Sequence, residues 1–407
     1  MGHVQDLWFK TAIDPSTGRP TRTKTDLHGK GKRYRVRYTD PAGRERSKSF
    51  PDRHKRNAED FLGEIENDKR RGSYLDPAAG RILFKNYAES WLASQTVEES
   101  TREIVGVRLR KHVFPRFGQC PLALITPADI RSWDRELQQK GLAPSYRQSI
   151  FAHVGTILNA AVDDEKIRKN PCKARSVRKP QVPLRKIKPW SAERVLAVHN
   201  AITDRYKIAV VLGAGLGLRH GETLGFAVDD IDFLNETVHV TRQVKIVGAR
   251  PCFGPPKGRK QREVPLPDAV ALALARHIQQ FPPVAITLPW QSPTGDPVTA
   301  NLVLYTASRT VVLRHVFNRW SWKSALREAG VAPQTRADGF HALRHFYAST
   351  LLDAGESIVA LAEYLGHSDP GFTLRTYTHL MPSSSHRTRR AVDGIFNPTT
   401  QDGMETA

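Results

Sequence analysis

Between Lys32 and Tyr38 the chain reads K-R-Y-R-V-R-Y, a strict two-residue alternation. Period two marks a strand with unlike faces, here Tyr34, Val36 and Tyr38 on one side and Arg33, Arg35 and Arg37 on the other. Asp40-Pro41-Ala42-Gly43 supplies turn residues, and Arg44 to Phe50 resumes as a second strand. Ala58 to Arg71 follows with helical character. Residues 1–75 therefore predict a small sheet with a packing helix, and Gly72 to Arg81 reads as a linker.

Beyond the linker the period lengthens to that of a helix. Phe84, Tyr87, Ala88, Trp91 and Leu92 share one helical face, as do Ile150, Val154, Ile157, Leu158 and Ala161. Thr126-Pro127-Ala128-Asp129 is a helix start: Thr caps, Pro suits the first helical position, and Asp complements the N-terminal dipole. Residues 83–168 predict an all-helical domain. In residues 169–189, Pro171, Pro180 and Pro183 interrupt any helix while Lys169, Lys173, Arg175, Arg178, Lys179, Arg185 and Lys186 oppose burial, which predicts a basic interdomain linker. Residues 190–396 predict helices over Ala192–Asn200 and Tyr206–Leu212, a strand-turn-strand region from Val238 to Leu266, and several helices after Ala269; residues 397–407 form a tail. The expected class is multidomain α+β: a small N-terminal β-sheet plus helix, an all-α middle domain, and a mainly α third domain with a small β-sheet. There is no internal repeat.

Charge adds the partner. The 407 residues carry 62 Lys and Arg against 41 Asp and Glu, a net +21, and the stretch from Lys30 to Arg56 holds eleven basic residues against three acidic ones. An excess of this size points to a polyanion, most simply nucleic acid. A strand with one arginine-rich face could read a major groove, and a basic extended linker could cross a phosphate backbone. The longest apolar stretch, Ile208 to Leu218, is too short to cross a bilayer. Cys120, Cys172 and Cys252 stand far apart, in no disulfide framework or metal-ligand spacing. A soluble protein of a reducing compartment is expected.

Four stretches of the C-terminal half carry candidate chemistry. In Leu216-Gly-Leu-Arg219-His-Gly-Glu222 an arginine meets its own i,i+3 carboxylate. Pro256-Lys257-Gly-Arg259-Lys260-Gln-Arg262 is a basic turn before a short apolar strand. His341-Ala-Leu-Arg344-His345 puts His341 and Arg344 on one helix face, where both could address one anion. His341 and His345 also stand at i,i+4, but Ala342 replaces the glutamate of H-E-x-x-H, so a zinc site is disfavoured and no cofactor is expected. Last comes Leu365-Gly366-His367-Ser-Asp-Pro370, followed by Thr373-Leu-Arg-Thr-Tyr377-Thr-His379; Pro370 and Gly371 are expected to end one helix, and a second short helix to carry Tyr377.

Arg219, Lys257, His341-x-x-Arg344, Gly366-His367 and Tyr377, in this order within one basic domain, resemble the tyrosine recombinase (phage integrase) family over residues 190–396. The helical domain resembles the family's core-site-binding domain, and the N-terminal hairpin its arm-type DNA-binding domain. The resemblance implies a DNA recombinase that cuts and rejoins strands without ATP. Tyr377 would be the nucleophile of a 3′-phosphotyrosyl intermediate, and Arg219 and Arg344 would clamp the phosphate. His341 would accept the phenolic proton, His367 would hydrogen-bond a phosphate oxygen, and Lys257, with Lys260 as competitor, would protonate the departing 5′-oxygen. Double-stranded DNA bearing core and arm attachment sites and a homotetramer on DNA are the implied partners, with a host DNA-bending or directionality factor besides. The segment after Tyr377, with Arg387, Arg389, Arg390 and Ala391 to Phe396, would dock on a neighbouring subunit. A silent DNA-binding regulator and a strand-relaxing topoisomerase are the competing readings. Neither the nucleophile nor an arginine is missing, which counts against the first; an arm-binding domain counts against the second.

Overall fold

The computed structural model describes residues 2–13, 18–72, 74–183, 187–331, 335–377 and 389. The chain forms two compact units, divided after Pro183.

The first unit opens with β1 (His3–Asp6), β2 (Phe9–Ile13), β3 (Pro20–Lys24), β4 (Tyr34–Thr39) and β5 (Glu45–Phe50), followed by α1 (Lys55–Arg70). The alternation in β4 does what period two requires: Tyr34, Val36 and Tyr38 are buried with Ala58 and Ile65 of α1. Antiparallel β5 pairs β4 with Val36 opposite Lys48. The sheet is larger than the alternating segment alone predicts, because β1 adds to the free edge of β4 and β2–β3 form a separate hairpin.

A second hydrophobic cluster of this unit is helical: α2 (Phe84–Ser94), α3 (Glu99–Arg108), α4 (Phe114–Phe117), α5 (Pro127–Gln139) and α6 (Pro144–Asp163). Thr126 caps α5 as its sequence requires: its Oγ1 accepts from Asp129 N at 3.2 Å while Asp129 Oδ2 accepts from Thr126 N at 3.0 Å. The Ile150, Val154, Ile157, Leu158 and Ala161 face of α6 is wholly buried. The following segment departs from a free linker. Asn170 Oδ1 accepts from Cys172 N, a single 3₁₀ turn forms over Pro171–Lys173, and Pro171 and Cys172 are buried against the helices. Apolar Cys172 and the hydrogen-bonded Asn170 outweigh the flanking charge. Arg185 and Lys186 lie outside the described residues.

The second unit holds α7 (Ala192–Ala201), α8 (Asp204–Gly215), α9 (His220–Leu224), β6 (Ile231–Asp232), β7 (Thr237–Val240), β8 (Gln243–Val247), β9 (Arg250–Gly254), β10 (Arg262–Pro265), α10 (Asp268–Gln280), β11 (Val284–Pro289), β12 (Pro297–Leu302), α11 (Arg314–Val316), α12 (Lys323–Glu328), α13 (His341–Ala354), α14 (Ile358–Leu365) and α15 (Pro370–Tyr377). Its sheet runs β10-β7-β6, with β8–β9 and β11–β12 as hairpins. The β11–β12 hairpin falls where only helices are expected, yet V-A-I-T-L-P alternates, with Val284, Ile286 and Leu288 inward. The expected break at Pro370 is also moved. α14 ends at Gly366, which adopts φ +61°, and Pro370 begins α15, in keeping with Pro's preference for first turns and Gly's for left-handed caps. His367 thereby sits on the loop between two helices. The mixed α+β class is the one expected. No helix among the described residues is long and apolar enough to cross a membrane. Residues 378–388 and 390–407, with His379, Arg387, Arg390 and Ala391 to Phe396, lie outside the described residues.

Candidate active site

Two glycine turns aim the arginines. Gly217, between α8 and α9, takes φ +61°, and a Cβ there would come within 2.5 Å of the Tyr347 ring. This turn delivers Arg219 to the head of α9 and leaves Gly217 O accepting from Arg344 at 2.7 Å. Gly366 O accepts from Arg219 Nη2 at 3.1 Å, and the adjacent Leu365 O accepts from Arg344 Nη2. Arg344, 1% exposed, is thus hung on carbonyl dipoles, with no carboxylate among its hydrogen-bond partners in the described residues. Burial, then Arg219 and Arg262, pull its pKa down to about 9, which leaves it a cation at neutral pH. A buried cation short of a counter-ion is a receptor for an anion.

Arg219 is held differently. Its backbone N and its guanidinium both donate to Glu222, each at 2.9 Å. Glu222 is fully buried and also receives a fork from Arg262, at 2.7 and 3.1 Å, while Arg262 Nε donates to Tyr364 O at 2.6 Å. Burial raises the Glu222 pKa, but Arg262 and Arg219 together outweigh it and bring it to about 2. The i,i+3 pairing of Arg219 with Glu222 is visible in the chain; Arg262 is absent from the sequence-derived site. It carried a signal nonetheless, because on β10 it shares the inward face with Val264, and the same alternation continues to buried Leu266 just past the strand. An arginine in a core register is a buried ion-pair partner.

Around the clamp stand three imidazoles. His367 Nε2 lies 3.2 Å from Arg344 Nη2, and its Nδ1 lies 2.7 Å from Thr373 Oγ1. Arginine only donates, so Nε2 accepts and Nδ1 carries the proton toward Thr373. Burial, then Arg344 and Arg219, lower the His367 pKa to about 4. His341, at the first turn of α13, keeps an open side; partial burial, then His345, Arg344 and Arg219, push it to about 3. Its ring meets that of His345 edge-on at 4.7 Å. His345 is in turn 2.8 Å, through Nδ1, from the Tyr377 hydroxyl. Tyr377 is 2% exposed, and burial pushes its phenol to about 12 against the pull of Arg344 and Arg219. The hydroxyl's neighbour is therefore His345 rather than His341. The i,i+4 spacing of His341 and His345 places both rings on one helix face, and that face meets the tyrosine rather than a metal-binding partner.

Lys257 sits on a tight turn, where Arg259 N donates to Pro256 O and Gly258 takes φ +82°. It lines a cleft of about 550 Å³ with Arg219, His341, Arg314 and Lys323, whereas Lys260 does not. Arg314 and Lys323 are cations that the sequence did not single out. In the first unit, Arg33 is drawn between Asp6 and Asp52, at 3.1 and 2.9 Å, and its guanidinium stacks on Phe9 and Tyr34. It is already committed to acids, Arg37 lies 3.4 Å from Glu45, and Arg178 and Lys179 are exposed.

Comparison with known proteins follows the same division. Residues 187–384 match the phage integrase family, and residues 83–138 match the phage integrase N-terminal SAM-like domain. A XerC-like tyrosine recombinase of Caldanaerobacter subterraneus subsp. tengcongensis is 26% identical over 92% of this chain and 99% of its own. The integrase of Mycobacterium phage D29 is 26% identical over 73% of this chain and 75% of its own. Among solved structures, the Tn1549 transposon integrase in complex with a circular intermediate DNA shares the fold at a TM-score of 0.61 and 21% identity, over 76% of this chain and 98% of that one. A lambda integrase tetramer bound to a Holliday junction does so at 0.54 and 15%, over 85% and 92%. The arginine clamp, its histidines and the buried tyrosine thus lie within a chain that belongs to the phage integrase family, the tyrosine recombinases.

Proposed function

We propose that this recombinase is the integrase of a phage or integrative element and that Tyr377 is its nucleophile. The observation that carries the reading is the convergence of two guanidiniums, anchored on the Gly217 and Leu365–Gly366 carbonyls, with His341, His345 and His367 and a buried tyrosine hydroxyl. A phosphodiester bound by Arg219 and Arg344 gains negative charge on its non-bridging oxygens when attacked, and two fixed forked cations stabilise that charge. Tyr377 Oη bonds to phosphorus as its proton passes to an imidazole, the bond to the 5′-oxygen breaks, and Lys257 protonates that oxygen. His341 lines the cleft beside Arg219, and His367 steadies the Arg344 guanidinium that meets the phosphate oxygens. The product is a 3′-phosphotyrosyl enzyme and a free 5′-hydroxyl. Because the ester is conserved, a 5′-hydroxyl of a second duplex reverses the steps without ATP. A role as a silent DNA binder is not favoured.

Strand exchange joins two duplexes, so four copies act together on DNA, with a host bending or directionality factor as a further partner. We assign residues 1–75 to arm-site binding, 83–168 to core-site binding, 169–189 to the basic connection, 190–396 to catalysis and 397–407 to a tail. Three separate hydrophobic clusters support this division. Arg35, Arg37, Arg178, Lys179, Arg185 and Lys186 are assigned to DNA contact, and Arg33 to positioning its strand. The expected place of action is the bacterial cytoplasm, on the nucleoid.

Nicked attachment-site DNA, from which the cleaved fragment diffuses away, tests the reaction. The full chain should accumulate a covalent adduct on a denaturing gel, mapped by digestion to the peptide of Tyr377; DNA binding without adduct overturns the reading. The charge of +21 leads to a second expectation, since each neutralised phosphate releases counterions. Affinity should fall by about a thousandfold or more between about 50 and 200 mM salt if six or more phosphates are contacted. A nearly flat salt profile in a binding titration would contradict the polyanion reading.

A further inference from the structure

Tyr377 can bond to phosphorus only if its proton has somewhere to go, and among the described residues the hydroxyl's hydrogen-bond partner is His345. We propose that His345 takes the phenolic proton of Tyr377 during cleavage and returns it during resealing, in place of His341. The inference rests on the reading of Tyr377 as nucleophile.

Three observations carry it. His345 Nδ1 is 2.8 Å from Tyr377 Oη, a full hydrogen bond, with the two rings tilted at 60°. His341 lies one turn earlier on α13, touches His345 rather than the tyrosine, and lines the cleft with Arg219 and Lys257. The groups facing His345 are Arg344 beside it, His341 on its own helix, His367 from the loop before α15 and Tyr377 from α15; among the described residues no carboxylate hydrogen-bonds to it.

The charge state suits an acceptor. Burial and Arg344 hold the imidazole near 4, so it is neutral and free to take a proton at pH 7. With the phenol near 12, the proton stays on oxygen while the site is empty. Attack changes both partners. As Oη bonds to phosphorus its basicity falls to that of an ester oxygen, and the negative charge of the phosphorane offsets Arg344 and strengthens the imidazole. The O–H bond breaks as the O–P bond forms. The proton ends on Nδ1, and the electron pair of the broken P–O bond leaves with the 5′-oxygen, which Lys257 protonates. Resealing runs backward, with His345 reprotonating the departing phenolate.

The test is single-turnover cleavage of the nicked substrate by the full-length wild type, His345→Asn, His345→Ala and His341→Ala across neutral and alkaline pH. The Asn amide oxygen can still accept the phenolic hydrogen bond but cannot carry off a proton. Both His345 variants should bind DNA, lose about a hundredfold in cleavage rate at neutral pH, and regain about tenfold per pH unit as hydroxide ionises the phenol instead. His341→Ala should show a loss without this alkaline recovery. A His345→Asn rate equal to wild type would overturn the inference, since the bond would then only orient the tyrosine. A loss independent of pH, recovery in His341→Ala instead, or loss of DNA binding by both His345 variants would also overturn it. If the wild type formed no tyrosyl adduct, the parent reading would fail first, and visibly so.

Discussion

Tyr377→Phe should abolish the covalent protein–DNA adduct while leaving the fold and DNA binding in place. The substitution removes one oxygen from a ring that is 2% exposed and keeps the ring's packing. The loss on the folding side is one hydrogen bond to His345, about 1 kcal/mol, which calorimetry can register as a small shift. The loss on the chemical side should be total, because the proposed intermediate is an ester of that oxygen. Gel analysis with nicked DNA and a parallel binding titration separate the two. Adduct formed by the Phe variant would move the nucleophile elsewhere. Tyr347 and Tyr364 would then be the residues to exchange, although Tyr347 is buried against Gly217 and held up at about 12 by that burial, and Tyr364 contributes its carbonyl to Arg262.

Glu222→Gln should be the most damaging change that touches neither nucleophile nor proton donor. Glu222 is the counter-ion for both Arg219 and Arg262, and Arg344 stands close enough to feel its charge without an ion pair among the described residues. Neutralising it leaves buried guanidiniums facing each other. Breaking such a pair costs about 3–5 kcal/mol, which for a unit of about 200 residues lowers the melting temperature by about 6–20 °C. Cleavage should fall by about a hundredfold or more, because Arg219 loses the carboxylate that aims it. The double variant Glu222→Gln/Arg262→Gln should be less destabilised than the sum of its singles; strict additivity would mean the two residues are not coupled. The pH signature follows from the depressed carboxylate. Its contribution is complete above the unfolded pKa, near 4.5, and is lost as pH falls toward about 2. Wild type should therefore lose stability through this window more steeply than Glu222→Gln. Equal slopes in acid unfolding would contradict the ion network.

Periodicity and punctuation carried much of the fold, because they are local. The Tyr34-Val36-Tyr38 alternation, the Thr126–Asp129 cap and the apolar face of α6 each need only neighbours in the chain. So did the Arg219–Glu222 pair, joined across one helical turn. Elements stabilised by distant partners were less legible. β1 forms because β4 has a free edge to satisfy. The segment at Pro171–Lys173 folds onto the helices because Cys172 finds an apolar site, and Pro370 starts a helix because Gly366 has already closed the one before.

The chain by itself determined which residue types were available: two arginines for an anion, histidines, a lysine on a turn and a tyrosine near the end. Tertiary structure decided how they are shared. It alone brought Arg262, from a strand, onto the Glu222 carboxylate, and set His345 rather than His341 against the Tyr377 hydroxyl. Both results depend on elements far apart in sequence meeting at hydrogen-bond distance, with burial setting the charge each group can bear. Spacing along a helix tells which side chains share a face; it does not tell what that face will meet.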